Sequence, residues 1–583
     1  MKKSIILMAT CVSALMLAQE KERNKFRFSG SYEGYGQWYN KDEKRGIQKF
    51  EKPLRSNNYL NLQLGYGRFS VTAQVEAYEK EALLNFNPKY KGVDFGTYAL
   101  NYKDDKFEAT LGHFYEQFGS GIALRAWEDR AIGINNAIRG ARVKFRPTEN
   151  IDFTALYGKN RSGFSVSKGS IMGADFNVDI ANILNVSSFG LSYGTSWVNR
   201  YEKLPEEVKS ISPDTNIFSN RLSFDKGNFY TSVEYNYKTK DALLNRLGTG
   251  SKVDYDFVKS GNAFLLNIGY SKSGFGIDAN FRRLENMQLL SERQPVGVGG
   301  QSSLTFNDNV LNFLPSMTKQ HHSNLANIYV YQTQSQVDFI KSLGEETKRL
   351  GTEIAGQVDL FYKFKRKSFL GGKYGTKVSA NFSTANSIKP KSLQYGSSTQ
   401  NPDYEMTLLD TEINYYKEYS VEIAKKLSPK ISGNISFIKQ YYDSKEITGI
   451  PSQPKVNTSI LFAEGVFILP KYRSIKASVE HMWADADRKN WIGGSIEYTH
   501  NKHWSLFVTD LYNYGFDEKE QYLVNDIDRF KIHFYNAGIT YRNGRHRIAV
   551  NYGRQRGGLV CAGGVCRFVP PSTGLGVQLS TSF

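Results

Sequence analysis

At 583 residues the chain has the length of about three or four soluble domains, yet its composition argues against that division. It carries 51 Gly, 15 Pro and 14% aromatic residues, including 37 Tyr and 37 Phe, with 23% charged residues and a net charge of +18. The aromatics exclude a disordered chain, and the lack of long apolar spans excludes a helical transporter.

The chain opens with Lys2 and Lys3, an apolar run over 5–17 and then Ala18. This predicts a signal peptide over 1–18, cleaved after Ala18, because the run is shorter than a spanning helix and is preceded by basic residues. Residues 19–583 then read as a single domain. Phe26, Phe28, Tyr32 and Trp38 share one parity, while Arg27, Ser29, Ser31, Glu33 and Gln37 take the other. A period of two with one oily face predicts a strand. The same pattern returns in Leu60, Leu62 and Leu64, in Phe69, Val71 and Val75, and over 92–102, 107–114 and 143–155. Short turns fall near 67–68, 103–105, 147–150, 225–228, 272–274, 428–430, 470–472, 500–502 and 542–545. Longer polar links lie between them at 41–52, 285–320, 386–402, 443–454 and 515–528.

Short turns alternating with long links are the asymmetry of an outer-membrane barrel, whose lumen and loops are polar while alternate residues face lipid. The expected fold is therefore all-β: a large transmembrane antiparallel outer-membrane β-barrel of about 24 strands, within a range of about 22 to 26. That leaves roughly 24 residues for each strand and its link, enough for the ~9–11 that cross a membrane. The final segment supports closure: Leu575, Val577, Leu579, Thr581 and Phe583 alternate with Gly574, Gly576, Gln578, Ser580 and Ser582. It looks like a closing barrel strand that ends in the aromatic recognised by the assembly machinery. Both termini are expected on the periplasmic side of the cell outer membrane. No room is expected for a separate plug domain or a peptidoglycan-binding domain.

One segment breaks the rhythm of the hairpins. Between His113 and Arg142 stand Glu116, Arg125, Trp127, Glu128, Asp129, Arg130 and Arg139 among apolar residues. Balanced charge beside Trp suits a loop folded into the lumen, where buried charges must be paired. Residues 115–137 are thus the candidate constriction, with Glu116, Arg125, Trp127, Glu128, Asp129, Arg130, Arg139 and Arg142 as its residues. The competing reading is an external loop with ion pairs that stiffen the rim. Glu128 and Asp129 are neighbours and would face opposite sides of a strand, which disfavours an acid/base pair. His321 and His322 lack a spaced carboxylate or cysteine partner for a metal. No phosphate-binding loop, nucleophile elbow or zinc-protease motif is present. No enzyme activity, cofactor or metal is expected. Beyond the signal, Cys561 and Cys566 flank Ala-Gly-Gly-Val, and an oxidising envelope compartment favours a disulfide closing the loop 561–566. In an exported protein the positive charge points to rim contacts with lipid headgroups or to anionic solutes, and not to nucleic acid.

The stretches GHFYEQFGSGIALRAWEDRAIGINNAIRGARVKF at 112–145, LPSMTKQH at 314–321 and YGRQRGGLVCAGGVCRFVP at 552–570 resemble a Bacteroidota family known only as domain of unknown function 6029. The resemblance spans nearly the whole mature chain and implies an outer-membrane barrel, with no substrate or catalytic residue to carry over.

The leading functional expectation is a porin-like channel for small, possibly anionic, hydrophilic solutes, narrowed by 115–137. The alternative is a non-conducting barrel serving as structural or scaffold subunit of a secretion, assembly or lipoprotein complex. Long external links such as 285–320 would then dock the partner. Outer-membrane lipid and the barrel-assembly machinery are the remaining expected partners, and the sequence leaves the oligomeric state open.

Overall fold

The computed structural model describes residues 25–583 apart from 80–82, 84–89, 131–132, 246–251, 294–308, 314–315, 334–339, 343–347, 395–402, 449–451, 516–530 and 563–564. The expected signal peptide lies outside the described residues, as do most of the 515–528 link and the two glycines between the cysteines.

Among the described residues, 24 strands close one antiparallel barrel. Strands β1 to β6 are Arg27–Tyr39, Leu54–Tyr66, Phe69–Tyr78, Gly92–Lys103, Phe107–Phe114 and Ile138–Thr148. Strands β7 to β12 are Ile151–Ser162, Ser165–Asp179, Gly190–Tyr201, Asp214–Lys226, Phe229–Asn245 and Lys252–Lys272. Strands β13 to β18 are Phe275–Glu285, Thr352–Phe364, Thr376–Gln394, Asp403–Lys426, Ile431–Asp443 and Lys455–Leu469. Strands β19 to β24 are Arg473–Ala484, Trp491–Thr499, Trp504–Asn513, His533–Asn543, His546–Gln555 and Ser572–Ser582. Each pairs with its sequence neighbour, and β1 pairs with β24 from Ser31↔Ser582 to Tyr39↔Gly574.

Closure leaves no sheet edge, so every strand finds its backbone partners within the wall. The alternating side chains then sort by face. Phe28, Trp38, Leu111, Val479, Ile496 and Val577 are exposed on the outside, forming an apolar band that is costly in water and suited to lipid. No described helix is long and apolar enough to cross a membrane.

All nine predicted short turns fall at one end, including Gly67-Arg68, Gly227-Asn228, Ser273-Gly274 and Gly544-Arg545 between successive strands. Two departures follow from local chemistry. The link between β14 and β15 is longer than its neighbours at that end, and Gly372 and Gly375 adopt φ of 59° and 88° within it. At the other end β7 and β8 join through Gly163-Phe164 alone, where Gly163 takes φ 62°. Several strands run well past the membrane on the long-link side: β12 has 21 residues, β15 has 19 and β16 has 24. Register shifts from Asn386 to Ser392 bend the β15–β16 extension. Its outer end leans over β13, where the Arg283 Nε donates to Leu408 O at 2.8 Å. Part of the expected 386–402 link is therefore strand.

Candidate functional site

The lumen face of the wall is mostly Ser, Asn, Gly, Thr and charged residues, with an apolar residue interrupting it at one level on strand after strand. On one side these are Ile138, Leu156, Ile171, Val198, Ile217, Ala263 and Leu284, all buried. On the other they include Ala355, Tyr416, Ile438, Ile460, Met482 and Trp491, also buried. An inward apolar ring in a water-filled barrel would be exposed. Here two links of the chain cover it.

The first is the link 115–137 between β5 and β6. A small hairpin pairs Gln117↔Arg125 and Phe118↔Leu124, and Gly121 at φ 97° supplies the left-handed backbone its turn requires. Phe118, Ile122, Ala123 and Leu124 are at most 1% exposed against the apolar ring. Gly173 on β8 makes this approach fit: a Cβ there would lie 2.9 Å from the Phe118 ring.

Polar anchors tie this link around the wall. Arg130 bridges Glu33 of β1 at 2.8 Å and Glu128 at 2.9 Å, and lies over the Tyr59 ring at 4.3 Å. Burial alone would push its guanidinium pKa down, but Glu128 and Glu33 raise it well above the ordinary arginine value. Glu116 accepts from Arg142 at 3.1 Å and pairs with Lys144 at 2.7 Å, and Arg142 also pairs with Glu108. Ser120 donates to Glu234 of β11 from both N and Oγ, at 3.0 Å each. Trp127 N donates to Asn136 Oδ1 at 2.6 Å, and the Trp127 indole carries the Arg125 guanidinium at 4.2 Å. Burial lowers the Arg125 pKa, with the Asp129 charge opposing. Arg139 is not brought to this cluster. It follows buried Ile138 on β6, so alternation turns it to the outer face, where it is exposed.

The second link, 286–351 between β13 and β14, corrects the expectation of an external loop over 285–320. Its described parts between 286 and 333 lie inside the barrel, whereas Ile340–Ser342 and Lys348–Leu350 form a hairpin that joins the wall at Asn245. Leu311 N donates to Leu289 O at 2.9 Å and Ser291 N to Asn309 O at 2.8 Å. Arg125 N in turn donates to Leu311 O at 2.8 Å, and Phe313 N to Gly121 O at 3.1 Å, so the two links form one braid. Asn312, 1% exposed, ties the braid together: its Nδ2 donates to Ile122 O at 3.0 Å and Met287 O at 2.6 Å, while its Oδ1 accepts from Leu289 N at 2.9 Å.

Further along, wall carboxylates catch the link. Glu480 of β19 accepts from Ser323 Oγ at 2.6 Å, Asn324 Nδ2 at 3.2 Å and Leu325 N at 3.1 Å. Glu418 of β16 meets His321 Nε2 at 2.7 Å, and Glu353 of β14 accepts from Tyr331 Oη at 2.5 Å. Tyr331 is fully buried and next to that carboxylate, and both effects push its pKa well up. On the other side, Arg293 meets Asp241 of β11 at 2.7 Å, as does Arg200 of β9. His321 thus serves as a polar anchor in the braid, whereas His322 is exposed, 4.0 Å from Glu464. No cluster of three or more His, Cys, Asp or Glu suited to a metal occurs among the described residues.

Beneath the braid, toward the short turns, lies a cavity of ≈ 490 Å³ bordered by Ser120, Met317, Ser223, Ser232, Asn267 and Gln357. Cys561 and Cys566 stand directly opposite each other in a two-stranded ribbon, Gly558–Ala562 against Val565–Val569.

Sequence reasoning singled out the first link through its charges but read the second as an external loop, and it gave no role to Asn312, Glu418 or Glu480. Single aliphatic residues at inward positions of consecutive strands, such as Leu156, Val198, Ile217 and Ile438, are the signal that something packs on the wall.

The chain is similar in fold to the translocation pore of the P pilus usher PapC, at 9% identity and a TM-score of 0.39 over 96% of this chain and 99% of that one. It is also similar to the siderophore receptor PirA from Pseudomonas aeruginosa, at 9% identity and a TM-score of 0.40 over 97% and 81%. Similarity to OccK11 (OpdR) of Pseudomonas aeruginosa covers 79% of this chain and 94% of that one, at 9% identity and a TM-score of 0.31. No curated protein matches it. The family model for the family of unknown function (DUF6029) matches residues 1–583, and the chain belongs to that family.

Proposed function

We propose that the protein is an outer-membrane channel for small hydrophilic solutes, held shut by its two inner links and opened when they shift. The observation that carries this reading is the nature of the obstruction. Two links of the chain fill the bore, held by hydrogen bonds and ion pairs to a wall that closes without them. A cavity with both polar and apolar lining reaches the underside of that obstruction. The narrowing assigned to 115–137 thus becomes a joint property of 115–137 and 286–351. Anion preference finds no support in the wall. Asp278 and Asp359 face each other across β13 and β14, and nearer the short turns Lys363 of β14 pairs with Lys377 of β15, so both signs line the bore.

The test is conductance of the purified full chain in planar bilayers, compared with a variant in which 119–135 is replaced by a short Gly-Ser linker. The channel reading expects a closed or flickering wild type and larger, longer openings in the variant. A variant as silent as the wild type, while still folded, would reject it.

A second reading rests on the number of anchors. Wall strands from β1 to β19 hold the links, and such a filled barrel suits a structural subunit of a larger complex. Mild detergent extraction that brings a stoichiometric partner with a silent barrel supports this alternative.

A further inference from the structure

Three neighbouring turns at the short-turn end share an unusual composition. Residues 361–377, 423–433 and 467–477 hold six, three and three Lys or Arg respectively, and no Asp or Glu. They are the links β14–β15, β16–β17 and β18–β19 with their strand ends, which follow one another around the rim. The opposite arc differs: the turns β4–β5 and β6–β7 mix Asp104, Asp105, Glu149 and Asp152 with Lys103, Lys106 and Arg146. Among the described residues Lys476 is the one member of the basic set with an ion pair, to Glu464 at 3.0 Å. Lys365, Arg366, Lys367, Lys373, Lys430 and Lys471 stand exposed in the turns themselves, while Lys363 and Lys377 share the inward parity of the strand ends.

Apolar side chains stand among them. Phe369 is 98% exposed, Tyr472 87% and Leu427 62%. Phe369 is displayed by an ordered loop: Lys367 N donates to Gly372 O at 2.7 Å and Gly372 N to Ser368 O at 2.8 Å. The apolar outer band runs straight into this arc through the exposed Ile423, Phe467 and Leu469.

We propose that this arc binds anionic phospholipid in the leaflet at the short-turn side. Continuity with the lipid-facing band places Phe369, Leu427 and Tyr472 at the acyl boundary. The flanking lysines and arginines, on long apolar stems, reach the headgroup phosphates. The opposite arc, where Asp104 and Asp152 are paired with Arg68 and Arg146, has no such excess of positive charge, so anionic lipid gathers on one side of the barrel. This inference holds whether or not the lumen conducts.

The test uses the full chain reconstituted in phosphatidylcholine bilayers with a trace of spin-labelled phosphatidylglycerol or spin-labelled phosphatidylcholine. The wild type should immobilise the anionic label preferentially, and high salt should reduce that preference. The variant K365Q/R366Q/K367Q/K373Q should lose selectivity by roughly fivefold, as expected if even one basic residue's share of attraction is removed. D104N/D105N/E149Q should retain it, and F369S should weaken retention of both labels. Equal immobilisation of the two lipids by the wild type overturns the proposal. So does unchanged selectivity in the quadruple variant, which would assign the arc to an acidic protein instead. The heat-dependent gel shift of a folded barrel confirms that each variant has assembled.

Discussion

Arg161 of β7 and Glu76 of β3 meet at 2.5 Å with 1% of each side chain exposed, and Tyr78 Oη also donates to that carboxylate at 2.5 Å. The pair lies where the 115–137 link covers the wall, remote from water. Removing one partner strands the other charge in a dry site, at a cost of about 3–5 kcal/mol. Arg161→Met should therefore lower the temperature at which the folded gel band is lost, while Glu76→Gln with Arg161→Met should recover most of the difference. A double variant as unstable as the single one would show that packing matters more than charge. Asp42, in the link between β1 and β2, offers a pH test. Burial pushes its carboxyl upward, but hydrogen bonds from Thr573 and Arg554 outweigh burial and hold it below the ordinary carboxylate range. A depressed folded value means its contribution is full above the unfolded value and is lost as pH falls through the folded one. Amide exchange over 40–53, corrected for intrinsic rate, should accelerate on acidification below about pH 4. Asp42→Asn should be fast at every pH, and an unchanged profile in that variant would remove Asp42 from the latch.

At the scale of elements, Asn312 is the point where the two inner links depend on each other. Its amide satisfies three backbone groups that are buried with it, and each group left unpaired costs ~1–3 kcal/mol. Asn312→Ala should leave the wall intact but loosen the braid, seen as bursts of conductance absent from the wild type. Silence with unchanged proteolysis of both links would refute that role. The ribbon at 558–569 makes a second prediction. Its register sets Cys561 against Cys566, so the two should resist maleimide until a reductant is added, whereas immediate labelling of both would exclude the disulfide. The strands themselves were legible because a half-apolar face leaves a period of two, as in Phe28 to Trp38 and Leu575 to Phe583. The second link was not legible for a related reason. Inside a polar bore, burial no longer tracks apolarity, so Asn309, Asn312 and Ser323 read as a solvent loop although each is at most 6% exposed. Its partners Glu418 and Glu480 lie 97 and 155 residues away from His321 and Leu325, beyond any local pattern.

For the whole molecule, two systems of interactions share one chain. The wall is a closed ladder, sealed at β1–β24, where Gly30 N donates to Phe583 O at 3.0 Å and Phe583 N to Gly30 O at 2.9 Å. Every strand of it has two neighbours without help from the inner links. The braid, by contrast, consists of short segments that borrow their order from the apolar ring and the wall carboxylates. Stability should therefore separate. A variant lacking both 119–135 and 289–331, each bridged by a flexible linker, should still give the compact band of a folded barrel. It should lose that band at a lower temperature, because the ring of Leu156, Ile217, Ile438 and Trp491 would then be open to water, at ~25 cal/mol per Å² of apolar surface exposed. Failure to form the band at all would mean that the links template the wall during assembly. The braid would then be part of the folding nucleus rather than a movable obstruction, and a displaceable gate would no longer be tenable.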